Sequence, residues 1–233
     1  MSHPTYRTAL IVGAGSGLSA SLARAFAKVD IAVALASRTV EDLSPLAGET
    51  GAKLFACDAT QCKQVTKLFV DVEKAIGAPD AVVYNASYRV RGRFTELDAA
   101  EVEKSIAVSA FGGFLVAQEA ARRMLPEGHG AILFTGASAS VKGYAQSAPF
   151  AMGKFALRGM AQSMARELAP LGIHVAHFVI DGGIRSSRRA ESGNAPDSML
   201  DPDAIAASYL HVLQQPRSAW TWEMELRPWT EKF

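Results

Sequence analysis

Residues Thr8-Ala-Leu-Ile-Val12, then Gly13-Ala-Gly15-Ser16-Gly17, then Leu18-Ser-Ala-Ser-Leu-Ala-Arg-Ala-Phe26 decide the fold of this chain. An unbroken aliphatic run suits a strand covered on both faces, the situation inside a parallel sheet. The stretch from Leu18 has helical period, and the glycines ahead of it let the backbone approach a ligand at the helix N-terminus. A pyrophosphate near Ser16, Gly17 and Leu18 answers that chemistry, because orphan N–H groups and the helix dipole both favour an anion. The competing reading is a tight turn whose glycines serve only positive φ.

Working outward, further strand-like runs recur at residues 31–36, 53–56, 80–84, 131–135 and 173–180. Helical period fills residues 18–28, 61–76, 99–124 and 150–168, with Gly77-Ala-Pro79 and Leu125-Pro126 as stops. Strand and helix in alternation imply a parallel sheet with helices on both faces, so the fold class is α/β. One domain over residues 1–233 is expected, since 233 residues with 49% hydrophobic content suffice for a single large core. Residues 182–202 are polar and irregular and would leave the carboxyl end of a strand, the place for a lid over a ligand.

Composition narrows the partners. Lysine plus arginine number 24 against 23 aspartates and glutamates, which gives no reason to expect nucleic acid or an anionic membrane. A small-molecule ligand fits better. Cys57 and Cys62 are too few for a disulfide framework or a zinc site, so a reducing cytoplasmic setting is expected and a reactive thiol is the minor reading. No run reaches the roughly twenty apolar residues of a membrane helix, and no apolar signal core precedes the first strand. His174 and His177 lie three apart in a strand and face opposite sides, so no metal is assigned.

Taken in order, these motifs make the chain resemble the short-chain dehydrogenase/reductase family over nearly its whole length. That resemblance implies a Rossmann-type doubly wound sheet of about seven strands. The family's T-G-x-x-x-G-x-G reads Val12-Gly13-Ala-Gly15-Ser16-Gly17-Leu18-Ser19, with Ser19 in the third glycine slot expected to crowd helix against strand slightly. Its acidic residue after the third strand, which meets the adenine amino group, corresponds to Asp58, followed by Ala59. Its N-A-G reads Asn85-Ala86-Ser87, and its P-G-x-x-x-T reads Asp181-Gly182-Gly-Ile184-Arg-Ser186.

Cofactor choice follows from the end of the second strand. An acid there would accept from the ribose hydroxyls and repel a phosphate. Ser37 and Arg38 stand there instead, and a guanidinium can grip a phosphate bidentately and stack on adenine, so NADP is preferred over NAD. The plainer reading makes Arg38 a solvated charge.

The family's active site is an Asn, a Ser and a Tyr-x-x-x-Lys pair. By position Lys154 matches the lysine, Phe150 occupies the tyrosine slot and Ser109 the asparagine slot, while Ser138 is chosen for the serine beside Ala137 and Ser140. Loss of the phenol removes a proton donor worth on the order of a hundredfold to ten-thousandfold in rate. Tyr84, Tyr88 and Tyr144 are further tyrosines, of which Tyr144, in a loop just ahead of the Phe150 helix, could reach the site or be an ordinary loop aromatic. Lys154 could itself donate a proton if burial lowered its pKa.

Arg185, Arg188 and Arg189 lie in the lid segment, either facing an acidic substrate or the cofactor phosphate or forming a solvated charge run. Three tryptophans in the tail, Trp220, Trp222 and Trp229, together with the helices at 99–124 and 150–168, point to a homodimer or homotetramer. Two functions stay open: an NADP(H)-dependent oxidoreductase on a carbonyl or alcohol with an altered proton donor, and a nucleotide-binding module, sensor or partner subunit, that has lost turnover. An open pocket over the nicotinamide face separates them.

Overall fold

The structure, a computed structural model, describes residues 5–231 apart from 187, 188, 192 and 195. Its strands are β1 (Thr8–Val12), β2 (Ala32–Ser37), β3 (Lys53–Ala56), β4 (Ala81–Tyr84), β5 (Gly130–Thr135), β6 (Ile173–Ile180) and β7 (Glu223–Leu226). They form one parallel sheet in the order β3-β2-β1-β4-β5-β6-β7. The chain steps outward from β1 to β3 and then returns to the far side of β1 with β4. The loops after β1 and β4 therefore leave for opposite faces of the sheet and open a crevice between them, where ligands bind in folds of this kind.

Side chains alternate strictly across the sheet. Ala9 and Ile11 of β1 join the core beneath α1 (Leu18–Ala27) and α7 (Pro202–Leu213), while Leu10 and Val12 join the core beneath α3 (Cys62–Ile76), α5 (Gly112–Met124) and α6 (Ala148–Leu168). Leu22 and Phe26 of α1 are fully buried, each contributing about 2 kcal/mol by area removed from water. With both faces covered, the strands have no polar side, which is why they read as continuous aliphatic runs.

The strand and helix boundaries expected from sequence hold to within a residue or two. Three features depart. The helix expected over 99–124 is split: α4 (Ala99–Ile106) passes into a π-turn, Ala107–Phe111, before α5. The Tyr84 hydroxyl donates to the Val108 carbonyl at 2.5 Å, so that carbonyl has a partner outside the helical ladder. Gly112 lets the ring come that close, since a Cβ there would sit 2.5 Å from the Tyr84 oxygen.

Two helices were also not anticipated. The short α2 (Ser44–Thr50) carries Pro45 and Gly48, which hide its period. The segment following β6 ends at Asp201 and not at residue 202, because Pro202 opens α7 and the Asp201 carboxylate caps it by accepting from Asp203 N at 2.8 Å.

Candidate active site

The crevice is a continuous trough along the carboxyl ends of the strands, and its first half is built mainly from backbone. Gly13 N and Ala14 N both donate to Ala36 O, at 2.9 and 3.0 Å, which turns the chain sharply off β1. Gly13 has φ +85°, and a Cβ on it would lie 2.3 Å from Ala86 N. Asn85 N donates to Val12 O at 2.8 Å, and Asn85 Nδ2 donates to Ser19 Oγ at 2.7 Å. Ser19 Oγ in turn donates to Gly13 O at 3.1 Å, so the serine in the third glycine slot ties the two loops together where crowding was expected.

The N-terminus of α1 has no side-chain cap and no acid in its first turn, leaving its N–H groups facing the trough. Gly15, Ser16 and Gly17 share a recess of about 330 Å³ with Ser37, Thr39 and Asp42. Gly17 and Leu18 also line the larger cleft described below. On the other flank, Arg38, Asp58, Ala59, Asn85 and Ala86 line a recess of about 250 Å³. Asp58 Oδ1 accepts from Thr60 N and Thr60 Oγ1 at 2.9 and 2.8 Å, which fixes the carboxylate while its other oxygen is left without a partner among the described residues. Arg38 is exposed and has no carboxylate partner among the described residues. An open helix N-terminus and a glycine-made approach fit a dinucleotide.

The second half of the trough is a cleft of about 770 Å³ lined by side chains from three loops. Lys154 lies on its floor, only 3% exposed, and donates to Thr135 O at 2.8 Å. Burial alone pulls its ammonium down to about 8. Phe150 and Ser138 line the same cleft, Ser138 at the start of the 3-10 turn Ser138–Ser140. Ser140, the neighbouring candidate, is fully buried and accepts from Ala137 N at 3.1 Å, which holds that turn.

Ser109 sits in the π-turn and is fully buried. Its Oγ accepts from Tyr88 N at 3.4 Å, and Ser105 Oγ donates to Tyr88 O at 2.8 Å, so both serines hold the loop leaving β4.

The three tyrosines separate cleanly. Tyr84 is spent on Val108 O, and Tyr88 donates to Glu101 at 2.6 Å and lines the recess beside Asp58. Tyr144 is 48% exposed and lines the cleft together with Phe150 and Lys154. Its loop is tethered: Lys142 Nζ donates to Asp181 Oδ2 at 2.9 Å, and that carboxylate is almost fully buried. Asp181 thus fixes the β5–α6 loop against the end of β6.

Gly182 and Ile184 line the cleft, and Ile184 bridges Leu200. Of the arginines in this segment, Arg185 pairs with Asp201 at 2.5 Å, Arg189 lines the cleft, and Arg188 lies outside the described residues. Arg89 and Arg91, from the loop after β4, line it too and were not anticipated. Their only sequence signal was Arg89-Val-Arg91 a few residues past Asn85.

Below the cleft, His177 is buried with Nδ1 at 3.2 Å from Glu223 Oε2, and Glu223 takes Arg158 in a two-pronged pair at 2.6 and 2.7 Å. Desolvation pushes the imidazole down to about 4 despite that carboxylate. Cys57 and Cys62 are both free, and burial pushes the Cys57 thiol up to about 11, so it is no nucleophile. No group of three or more His, Cys, Asp or Glu among the described residues could hold a metal ion. No helix among the described residues is long and apolar enough to cross a membrane.

The profile of the family described as short chain dehydrogenase matches residues 7–196. The chain belongs to the short-chain dehydrogenase family. A crystal structure of a short-chain dehydrogenase from Rhodopseudomonas palustris is similar at TM-score 0.82 and 36% identity, covering 96% of this chain and 99% of that one. The cyclic-di-GMP-binding biofilm dispersal mediator protein of Escherichia coli K12 is 33% identical over 206 residues, 86% of this chain and 83% of that protein. A metagenomic short-chain oxidoreductase solved in complex with NADP matches at TM-score 0.82 and 25% identity, covering 95% of this chain and 97% of that one.

Proposed function

We propose that this short-chain dehydrogenase is an NADP(H)-dependent oxidoreductase acting on a carbonyl or alcohol, with its proton supplied from a group other than residue 150. The observation that carries this reading is the cleft itself: it is open, joined to the dinucleotide trough, and floored by a buried lysine whose pKa is about 8. A bound nicotinamide supplies the hydride.

Lys154 binds the nicotinamide ribose side and stays cationic up to about pH 8, so it can give a proton toward a developing alkoxide. Tyr144, held over the cleft by the Lys142–Asp181 tether, is the phenol in reach of a substrate there. Ser138 offers a hydroxyl to the same oxygen, while Ser109 acts through the loop it holds. Phe150 excludes water beside the lysine. Gly13 to Leu18, Ser37, Arg38, Asp58, Ala59, Asn85, Ala86, Gly182 and Ile184 hold the dinucleotide, and Arg38, facing an adenosine phosphate, sets the preference for NADP. The relative solved with NADP supports that choice.

A homodimer or homotetramer is part of this reading. Phe111 and Phe114, exposed and stacked at 6.1 Å, and Met152 and Phe155, exposed on α6, leave an apolar face on the paired helices. In the tail, Trp220 stacks on His174 at 4.6 Å and Trp222 lies under Arg158, so Trp229, at 81% exposed, is the tryptophan left for a partner. A cytoplasmic setting and a small-molecule substrate accompany the proposal.

A binding module without turnover is the second reading. It is favoured by Phe150, which has no proton to give, and by the E. coli relative named for binding a nucleotide. Titration of NADPH and NADH by fluorescence, followed by a screen of aldehydes, ketones and quinones with the wild-type protein and Phe150→Tyr, separates the two. Turnover by the wild type supports the enzyme; tight binding with turnover only in the tyrosine variant supports the module.

A further inference from the structure

The cleft is far more positive than the chain that forms it. The protein carries a formal net charge of +1, yet Arg89, Arg91, Arg189 and Lys154 line this one cavity and no aspartate or glutamate among the described residues does. Nearby arginines of the same two segments are neutralised: Arg93 pairs with Glu96 at 3.4 Å, and Arg185 pairs with Asp201 at 2.5 Å. Arg89, Arg91 and Arg189 have no carboxylate partner among the described residues. Their charges are close enough to act on one another, since burial first, then Arg91 and Arg189, pull the Arg89 guanidinium below its ordinary pKa.

Phe150 has a part in this arrangement. The Arg89 guanidinium carbon lies 5.3 Å from the centroid of the Phe150 ring, a cation–π seat that aims the charge at the position where the family carries its phenol. Arg89 and Arg91 lie on the loop beyond Asn85 in the cavity that Phe150 and Lys154 line, and Arg89 reaches the Phe150 ring, so their charge falls on the substrate half of the trough. Unpaired guanidiniums gathered on one acid-free wall form a site for a carboxylate or a phosphate ester, the two groups that a guanidinium grips bidentately.

We propose that the substrate of this cleft is an anion, a carbonyl or alcohol compound bearing a carboxylate or phosphate that Arg89, Arg91 and Arg189 hold while its reacting carbon faces Lys154. The proposal rests on the oxidoreductase reading for the reacting carbon, but the anion site is testable by binding alone.

The test measures binding to the NADPH-loaded protein by calorimetry. The probes are 4-formylbenzoate against its methyl ester, and 4-formylphenyl phosphate against 4-methoxybenzaldehyde. At least one anion is expected to bind tenfold or more tighter than its neutral partner, and to weaken as salt rises. The better anion identifies the source of the negative group. In Arg89→Gln/Arg91→Gln, and separately in Arg91→Glu, the advantage should fall to about onefold with NADPH affinity unchanged. Equal binding of acid and ester would overturn the proposal, as would an advantage that survives both variants. A loss of NADPH affinity in the variants would overturn it as well, by assigning the arginines to the cofactor. NADPH oxidation is followed on the same samples. Anion binding without any oxidation would defeat the oxidoreductase reading and leave the anion site standing.

Discussion

The two halves of the trough are built by different means. The dinucleotide half is made of backbone and small side chains at one topological switch point, with Gly13, Ser19, Asn85 and Ala86 locked together by short contacts. The substrate half is lined by side chains from three separate loops and from α6, with the Lys154 ammonium buried on its floor. Backbone contacts tolerate little change, so that half keeps a sequence pattern. Loop side chains can be exchanged without disturbing the sheet.

Gly13→Val should break the first half most severely. The new side chain meets Ala86 backbone at a positive φ, so a cost of about 3 to 5 kcal/mol in urea unfolding is expected, together with loss of NADPH binding. An unchanged midpoint would mean that the two loops are not locked. Lys154→Met tests the second half: the protein should stay folded while turnover falls by about a hundredfold or more. In the wild type, reductive turnover should decline as pH rises through about 8, because the lysine loses the proton it gives. A profile flat from pH 7 to 9.5 would place the proton elsewhere.

The support beneath the cleft makes a pH prediction of its own. Unfolded, His177 takes a proton at its ordinary value of 6.5; folded, it does so only near 4. As pH falls from 6.5 to 4 the unfolded chain binds a proton that the folded chain refuses. Stability present above pH 6.5 is therefore lost across that window, by about 3 kcal/mol. His174, lowered chiefly by burial, adds in the same direction. Denaturant midpoints of the wild type and His177→Gln across this range check it, and equal slopes would remove His177 from the account.

Smaller effects sharpen the cofactor side. Arg38→Glu should weaken NADPH by roughly tenfold to a hundredfold and leave NADH within a few fold, measured by fluorescence titration. Equal weakening of both would undo the argument for NADP. Phe155→Glu, on the exposed face of α6, should shift the protein toward monomer in sedimentation with little change in thermal midpoint. An unmoved sedimentation coefficient would place the contact elsewhere.

The alternation of aliphatic strands with helical segments was legible because both faces of every strand must be covered, and that leaves a mark on each residue of the run. The glycine turn, Asp58 and Lys154 were legible for a similar reason, since their positions are fixed by the fold. Long-range contacts left no such mark. The π-turn depends on Tyr84 reaching Val108, and the tether of Tyr144 depends on Asp181 meeting Lys142 across 39 positions. Nothing local marks Arg89 and Arg91 until the loop after β4 is set beside Phe150.

The sequence by itself determined the sheet, the dinucleotide trough and the family, because periodicity and backbone demands are local and repeat along the chain. Only the tertiary structure decided how Tyr144 is tethered at the cleft and which arginines lining it have no carboxylate partner among the described residues. Those outcomes are set by distances between loops far apart in sequence, where one carboxylate more or less changes the charge of the whole cleft.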